Sequence, residues 1–141
     1  MSIRNAVVGD WKEIAVLLDQ LEYPGSAHFL ERKISTMIED PKERLLVYEE
    51  DGRILGFVSL HFIPQIALEG DFARISYFAV DAAARSGGIG RQLEEYCTRL
   101  AWEKGCHLIE VHCHTRRDRA HAFYARQGYE ESPKYLIKRL K

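Results

Sequence analysis

Hydrophobic positions recur with two different periods along this chain. Behind Asp10, the residues Trp11, Ile14, Ala15, Leu17, Leu18 and Leu21 fall at helical spacing, and Glu13 stands where a capping box places its acidic partner. A helix is therefore predicted from Asp10 to the Tyr23-Pro24-Gly25 turn, followed by a second, capped by Ser26 and running to about Glu39, just before Asp40-Pro41. Ahead of both, Ile3, Ala6, Val7 and Val8 suggest a short strand closed by Gly9. The period then changes. Leu45-Leu46-Val47-Tyr48 and the run from Ile54 to Leu60 flank Asp51-Gly52, a dipeptide suited to the tight turn of a β-hairpin.

The second half alternates strand and helix. Phe72 to Val80 reads as a central strand, and Gly87-Gly88-Ile89-Gly90 opens a helix carrying Leu93, Tyr96, Cys97, Leu100 and Ala101, with Gly105 as its C-terminal cap. Leu108 to Cys113 is the next strand. A helix with Ala120, Phe123, Tyr124 and Gln127 on one face stops at Gly128, and Tyr135-Leu136-Ile137 gives a final strand. The order β α α β β β α β α β predicts an α/β fold of mixed α+β character: a twisted, mixed sheet with helices on both faces, antiparallel at the hairpin and partly parallel toward the end.

Composition narrows the class. The chain has 141 residues, 46% hydrophobic and 29% charged, enough for one domain over residues 1–141 that buries roughly 68% of its unfolded surface without disulfides or a structural metal. Twenty basic against 21 acidic side chains leave a net charge of -1, so bulk nucleic-acid binding has little electrostatic drive. Cys97, Cys106 and Cys113 form no C-x-x-C pair, which suggests neither a disulfide framework nor a zinc ribbon and fits a reducing cytoplasm. No apolar run approaches the roughly 20 residues of a membrane span, and Met1 to Asn5 leads into no signal core, so an uncleaved protein away from membranes is expected.

The segment Arg85-Ser86-Gly87-Gly88-Ile89-Gly90-Arg91 lies between a strand and a helix N-terminus, where backbone N–H groups and the helix dipole favour a phosphate. A tight turn that binds nothing would use the same glycines. A dinucleotide fingerprint is excluded, because Leu93 stands where the third glycine belongs, and Gly90 is followed by Arg91-Gln92 where a P-loop needs Lys and Ser or Thr.

What remains, Arg85-x-x-Gly88-x-Gly90 after a strand ending Phe78-Ala79-Val80-Asp81, resembles the pyrophosphate loop of the GCN5-related N-acetyltransferase (GNAT) superfamily. The stretch from Arg119 to Tyr129, with Ala120, Phe123, Tyr124 and Gly128, is similar to the Ala-x-x-Phe-Tyr-x-x-x-Gly-Phe/Tyr helix of these enzymes. Within the superfamily, the chain from Leu60-His61 onward looks most like the small aminoalkylphosphonate N-acetyltransferases. The resemblance implies acetyl-CoA as co-substrate, held by the backbone of Arg85, Ser86, Gly87, Gly88, Ile89, Gly90 and Arg91 at its pyrophosphate and of Phe78, Ala79 and Val80 at its pantetheine. It also implies Tyr124 as the acid that protonates the departing thiolate. Judged without the family, Tyr124 is a core aromatic.

The strand carboxylate that serves as base in several relatives is replaced here: the corresponding position holds Tyr77, with Ser76 and Arg74 as its other polar neighbours. His61, Glu69, Asp71 and His112 are candidates around the acceptor amine, acting directly or through water, and Tyr77 is a further acceptor-side candidate, each with a plainer reading as a solvated or strand-edge residue. Arg116, Arg117 and Arg119 are candidates for the coenzyme 3′-phosphate or an anionic acceptor. His112 and His114 share a strand face, but without a third ligand at suitable spacing no metal site is assigned. The expected activity is transfer of an acetyl group to the primary amine of a small molecule by direct attack in a ternary complex. Its rivals are protein or peptide acetylation and a coenzyme-binding sensory module without turnover. The exposed edge expected at the C-terminal strand favours a homodimer.

Overall fold

The computed structural model describes residues 2–85, 87–112, 118–132 and 136–141. Its framework is a five-stranded sheet in the order of the chain: β1 (Ser2–Asn5), β2 (Glu43–Glu50), β3 (Arg53–Ile63), β4 (Phe72–Val80) and β5 (Leu108–Val111). Pairing is antiparallel from β1 to β4 and parallel between β4 and β5. The mixed α/β fold expected from the pattern is thus the one observed, with the parallel pair where the strand–helix–strand passage requires it.

Two apolar layers hold the sheet. On one face α1 (Trp11–Gln20) and α2 (Ala27–Met37) bury Ile14, Leu17, Leu30 and Ile34 against Leu45, Val47, Phe57 and Ala79. On the other face α3 (Ile89–Glu103) buries Ile89, Leu93, Cys97 and Ala101 against Leu46, Val58, Leu60, Ala73 and Ile75. Each of the large side chains contributes about 1.5–3 kcal/mol by leaving water. Gly56 of β3 sits beneath α3 in close contact: a Cβ there would fall 3.1 Å from Leu93, 3.2 Å from Ile89 and 3.2 Å from the Ala79 carbonyl.

The hairpin forms as its sequence demands, with Asp51 and Gly52 both at positive φ, 51° and 76°. Other expectations are corrected. The first strand ends at Asn5, and Val8–Asp10 is a 3-10 turn. Asp10 is drawn into that turn, where it accepts from the Val7 N–H (2.9 Å) and pairs with Arg4 (2.9 Å), so it offers α1 no side-chain cap. Glu13 accepts instead from the Ile54 N–H across the fold, at 2.8 Å. Ser26 precedes α2 without capping it; its buried hydroxyl has no partner among the described residues. No strand follows α4 (Asp118–Arg126) among the described residues: Leu136, Ile137 and Leu140 are exposed chain, and Tyr135 lies outside the described residues. Trp11 is partly buried against the first layer, whereas Trp102 is exposed. No helix among the described residues is long and apolar enough to cross a membrane.

Candidate functional site

The site begins where β4 loses a neighbour. Among the described residues, β5 pairs with Phe72, Ala73, Arg74 and Ile75 only, and β4 continues through Val80 paired with β3 alone. With no described residue pairing beyond Ile75 on that side, backbone N–H and C=O groups of Ser76 to Val80 face a split between β4 and β5. The register with β3 also shifts there: Ile75 pairs with Leu60 and Tyr77 with Ser59, which makes Ser76 the bulged residue. After the bulge, Phe78 points to the α3 face and Ala79 to the face of α1 and α2.

Beyond Val80 the chain turns into the glycine loop. Asp81 caps the turn by accepting from the Ala83 N–H (2.9 Å), and Gln20 at the end of α1 accepts from the Ala82 N–H (2.9 Å), tying the loop to the first helix. Gly88 takes a left-handed conformation, φ 81° and ψ 7°, and no side chain caps α3 behind it. The first-turn N–H groups of α3 therefore point outward as donors for an anion.

The split and the loop open into one cleft of about 940 Å³, closed on its far side by α4. Phe78, Ala79, Val80, Arg85, Gly88, Ile89, Gly90 and Arg91 line it, as does Tyr124; Gly87 does not, and Ser86 lies outside the described residues. Among the described residues, the charge of the lining differs from that of the chain: Arg85, Arg91, Arg119 and Arg126 stand against Asp118. This cationic cleft, with uncapped helix donors at one end, fits a phosphorylated ligand. Arg116 and Arg117 fall outside the described residues, so of the predicted basic run only Arg119 is placed.

Aromatic rings form the wall. Phe78 meets Phe123 at 5.8 Å and Tyr124 at 6.3 Å, and Tyr124 meets Phe123 at 5.2 Å and Tyr129 at 5.4 Å, all edge to face. Tyr129 anchors the group by donating to the buried carboxylate of Glu94 (2.9 Å), which also accepts from Thr98 (2.8 Å). Burial, then the Glu94 charge, pushes the Tyr129 hydroxyl far above its usual range, so it stays a donor. The same two causes raise the neighbouring Cys97 thiol to about 12, which makes it inert packing. Glu94 is a site residue that periodicity hides, since it reads as one more charge on a helix.

The acceptor-side candidates separate. Tyr77 is 39% exposed and packs edge to face on Tyr23 of the α1–α2 turn at 5.1 Å. His61 is held between Glu43 and Ser76. His112 follows the last paired residue of β5, at the mouth of the split. Glu69 is exposed in the β3–β4 loop, whose end is tied to His107 (His107 N–H to Asp71 O, 2.9 Å) at the opposite end of β4 from the glycine loop.

Residues 11–129 match the Acetyltransferase (GNAT) family. The chain belongs to this family of acyltransferases. It is 29% identical over 93 residues to an aminoalkylphosphonate N-acetyltransferase of Salmonella typhimurium, a match covering 66% of this chain and 60% of that one. It is 26% identical over 141 residues to an uncharacterized N-acetyltransferase, YhfO, of Bacillus subtilis, covering 96% and 94%. Among solved structures, a protein described as a transcriptional regulator from Bacillus halodurans C-125 superposes with a TM-score of 0.87 at 26% identity over 99% of both chains.

Proposed function

We propose that the protein is an acetyl-CoA-dependent N-acetyltransferase acting on the primary amine of a small molecule, by direct attack in a ternary complex. The observation that carries this reading is the split beside Ser76 to Val80, which ends in the uncapped, arginine-flanked N-terminus of α3. An extended amide chain pairs with the open edge of β4 as an added strand would, and a diphosphate meets the helix donors. With the thioester at the vertex, a β4 N–H near Phe78 polarises its carbonyl. The hydroxyl of Tyr124, held by Phe78, Phe123 and Tyr129, protonates the leaving sulfur.

The acceptor enters from the side of Tyr23 and Tyr77. The name of the Salmonella relative puts aminoalkylphosphonates first in a panel with polyamines, aminoglycosides and N-terminal peptides, read as thiol release from acetyl-CoA. Preference for peptides overturns the small-molecule reading. The rival, a coenzyme-binding module without turnover, draws on the likeness to the protein described as a transcriptional regulator; it predicts acetyl-CoA binding without thiol release from any amine. The thiols of Cys97 and Cys106 support a cytoplasmic location, and the exposed Leu136, Ile137 and Leu140 support contact with a second copy, which sedimentation tests.

A further inference from the structure

Across four strands, on the face covered by α1 and α2, the register aligns Glu43, His61, Arg74 and Glu110. Arg74 is ion-paired to Glu110. Glu43 meets His61 Nδ1 through its carboxylate, and His61 Nε2 lies 2.5 Å from Ser76 Oγ. Ser76 is both the bulged residue of β4 and the first beyond its last pair with β5. A chain of polar atoms thus runs from a half-buried carboxylate to the vertex of the split, two residues before Phe78, or about 7 Å along the strand.

We propose that Glu43, His61 and Ser76 form a proton relay that takes the proton from the acceptor amine. The proposal rests on the acetyltransferase reading and supplies its missing base. A primary amine with a pKa of about 10 arrives as an ammonium ion without a free lone pair, and the one carboxylate among the described cleft-lining residues, Asp118, stands at the start of α4. Glu43 on Nδ1 fixes the tautomer that leaves Nε2 as acceptor and stabilises the imidazolium once formed.

The ammonium passes one proton to Ser76 Oγ as the Ser76 hydroxyl proton moves to His61 Nε2. The freed lone pair forms the C–N bond, and the C–S bond breaks with its electrons on sulfur. Sulfur takes the Tyr124 proton, Tyr124 recovers one from the nitrogen, and His61 returns its proton to water. The products are amide, thiol and one proton. His61 shares a face with the ring pair Tyr23 and Tyr77, whereas Tyr124 packs on Phe78 on the other, so base and acid flank the carbonyl from opposite sides.

The test compares wild type with H61Q, S76A and E43Q, using the best amine of the panel, from neutral pH to about pH 10, where the amine deprotonates unaided. The groups that face His61 or its partners are Glu43 on β2, Arg74, Ser76 and Tyr77 on β4, Glu110 on β5, and His112 just beyond it. H61Q and S76A are expected to lose kcat/KM by about 100-fold near neutrality and E43Q by less. The deficit narrows as pH rises, while the acetyl-CoA Kd and Tm stay at wild-type values. S76A, at an exposed position, keeps the test open if H61Q fails to fold. An equal deficit at every pH, or none, overturns the relay alone. An acetyl group found on Ser76 by intact mass overturns it in favour of a nucleophile. Absence of thiol release by wild type with every amine overturns the activity and the relay together.

Discussion

Between Phe72 and Ile75, β4 is paired on both edges, to β3 and to β5; between Ser76 and Val80, among the described residues, it keeps β3 alone. The first half carries Ala73 and Ile75, at 0% and 1% exposure, in the middle of the apolar layer under α3. The second half carries Ser76 and Tyr77, both exposed, and Phe78 and Val80, half-buried on the cleft. One strand thus divides its labour along its length: hydrogen bonds satisfied internally in one half are left for a partner in the other. Stability and ligand recognition are correspondingly separable, and mutation can probe each half.

The largest effect is expected at the paired half. Ile75→Ala should cost 2–5 kcal/mol of unfolding free energy, roughly the range for a fully buried isoleucine, as measured by denaturant melts, with an unchanged Kd for acetyl-CoA in the folded fraction. On the open side, Tyr124→Phe should lower the thiol-release rate by about 100-fold, near 2.7 kcal/mol of barrier, with Tm and Kd unaltered; an unchanged rate removes the acid role. Gly88→Ala forces a side chain into the left-handed region at roughly 1 kcal/mol, and calorimetry should show acetyl-CoA binding weakened by about fivefold. A stability loss in Gly88→Ala as large as that of Ile75→Ala would break the division.

The smallest effect concerns neither half. Burial pushes the Asp10 carboxyl up, but the Arg4 hydrogen bond, the Val7 N–H and the Arg4 charge outweigh it and hold its pKa below the usual carboxylate range. A depressed pKa in the folded state adds stability that is complete above the unfolded value of about 3.9 and is lost as pH falls through the folded one. Acid melts of Asp10→Asn should accordingly lack part of the wild-type loss below about pH 4.

How much of this was legible in the sequence depended on distance along the chain. The hairpin was readable because Asp51 and Gly52 meet a local demand for positive φ, and the uncapped start of α3 because Gly88 and Gly90 sit at a strand–helix junction. The place of Tyr124 on the cleft wall was readable through the motif around it. The Asp10–Glu13 capping box was misread because both carboxylates have better partners elsewhere, Arg4 and the Ile54 N–H, and the latter is 41 residues away. Glu43 escaped notice for the same reason: its meaning comes from standing opposite His61 across two strands. Ser76 read as a polar neighbour because a bulge has no periodicity of its own. The final strand is absent among the described residues, where Leu136 and Ile137, apolar in sequence, are exposed chain.

Gly56, at the foot of α3, carries a consequence for how this fold can vary. Its missing Cβ lets Leu93 and Ile89 settle onto β3, and Ile89 is the first residue of the helix whose donors face the proposed diphosphate site. The clearance of the cradle is therefore gauged from a neighbouring strand. Chains that carry alanine at this place are expected to carry a smaller side chain at 89 or 93, a covariation set from a strand residue that does not itself line the cleft.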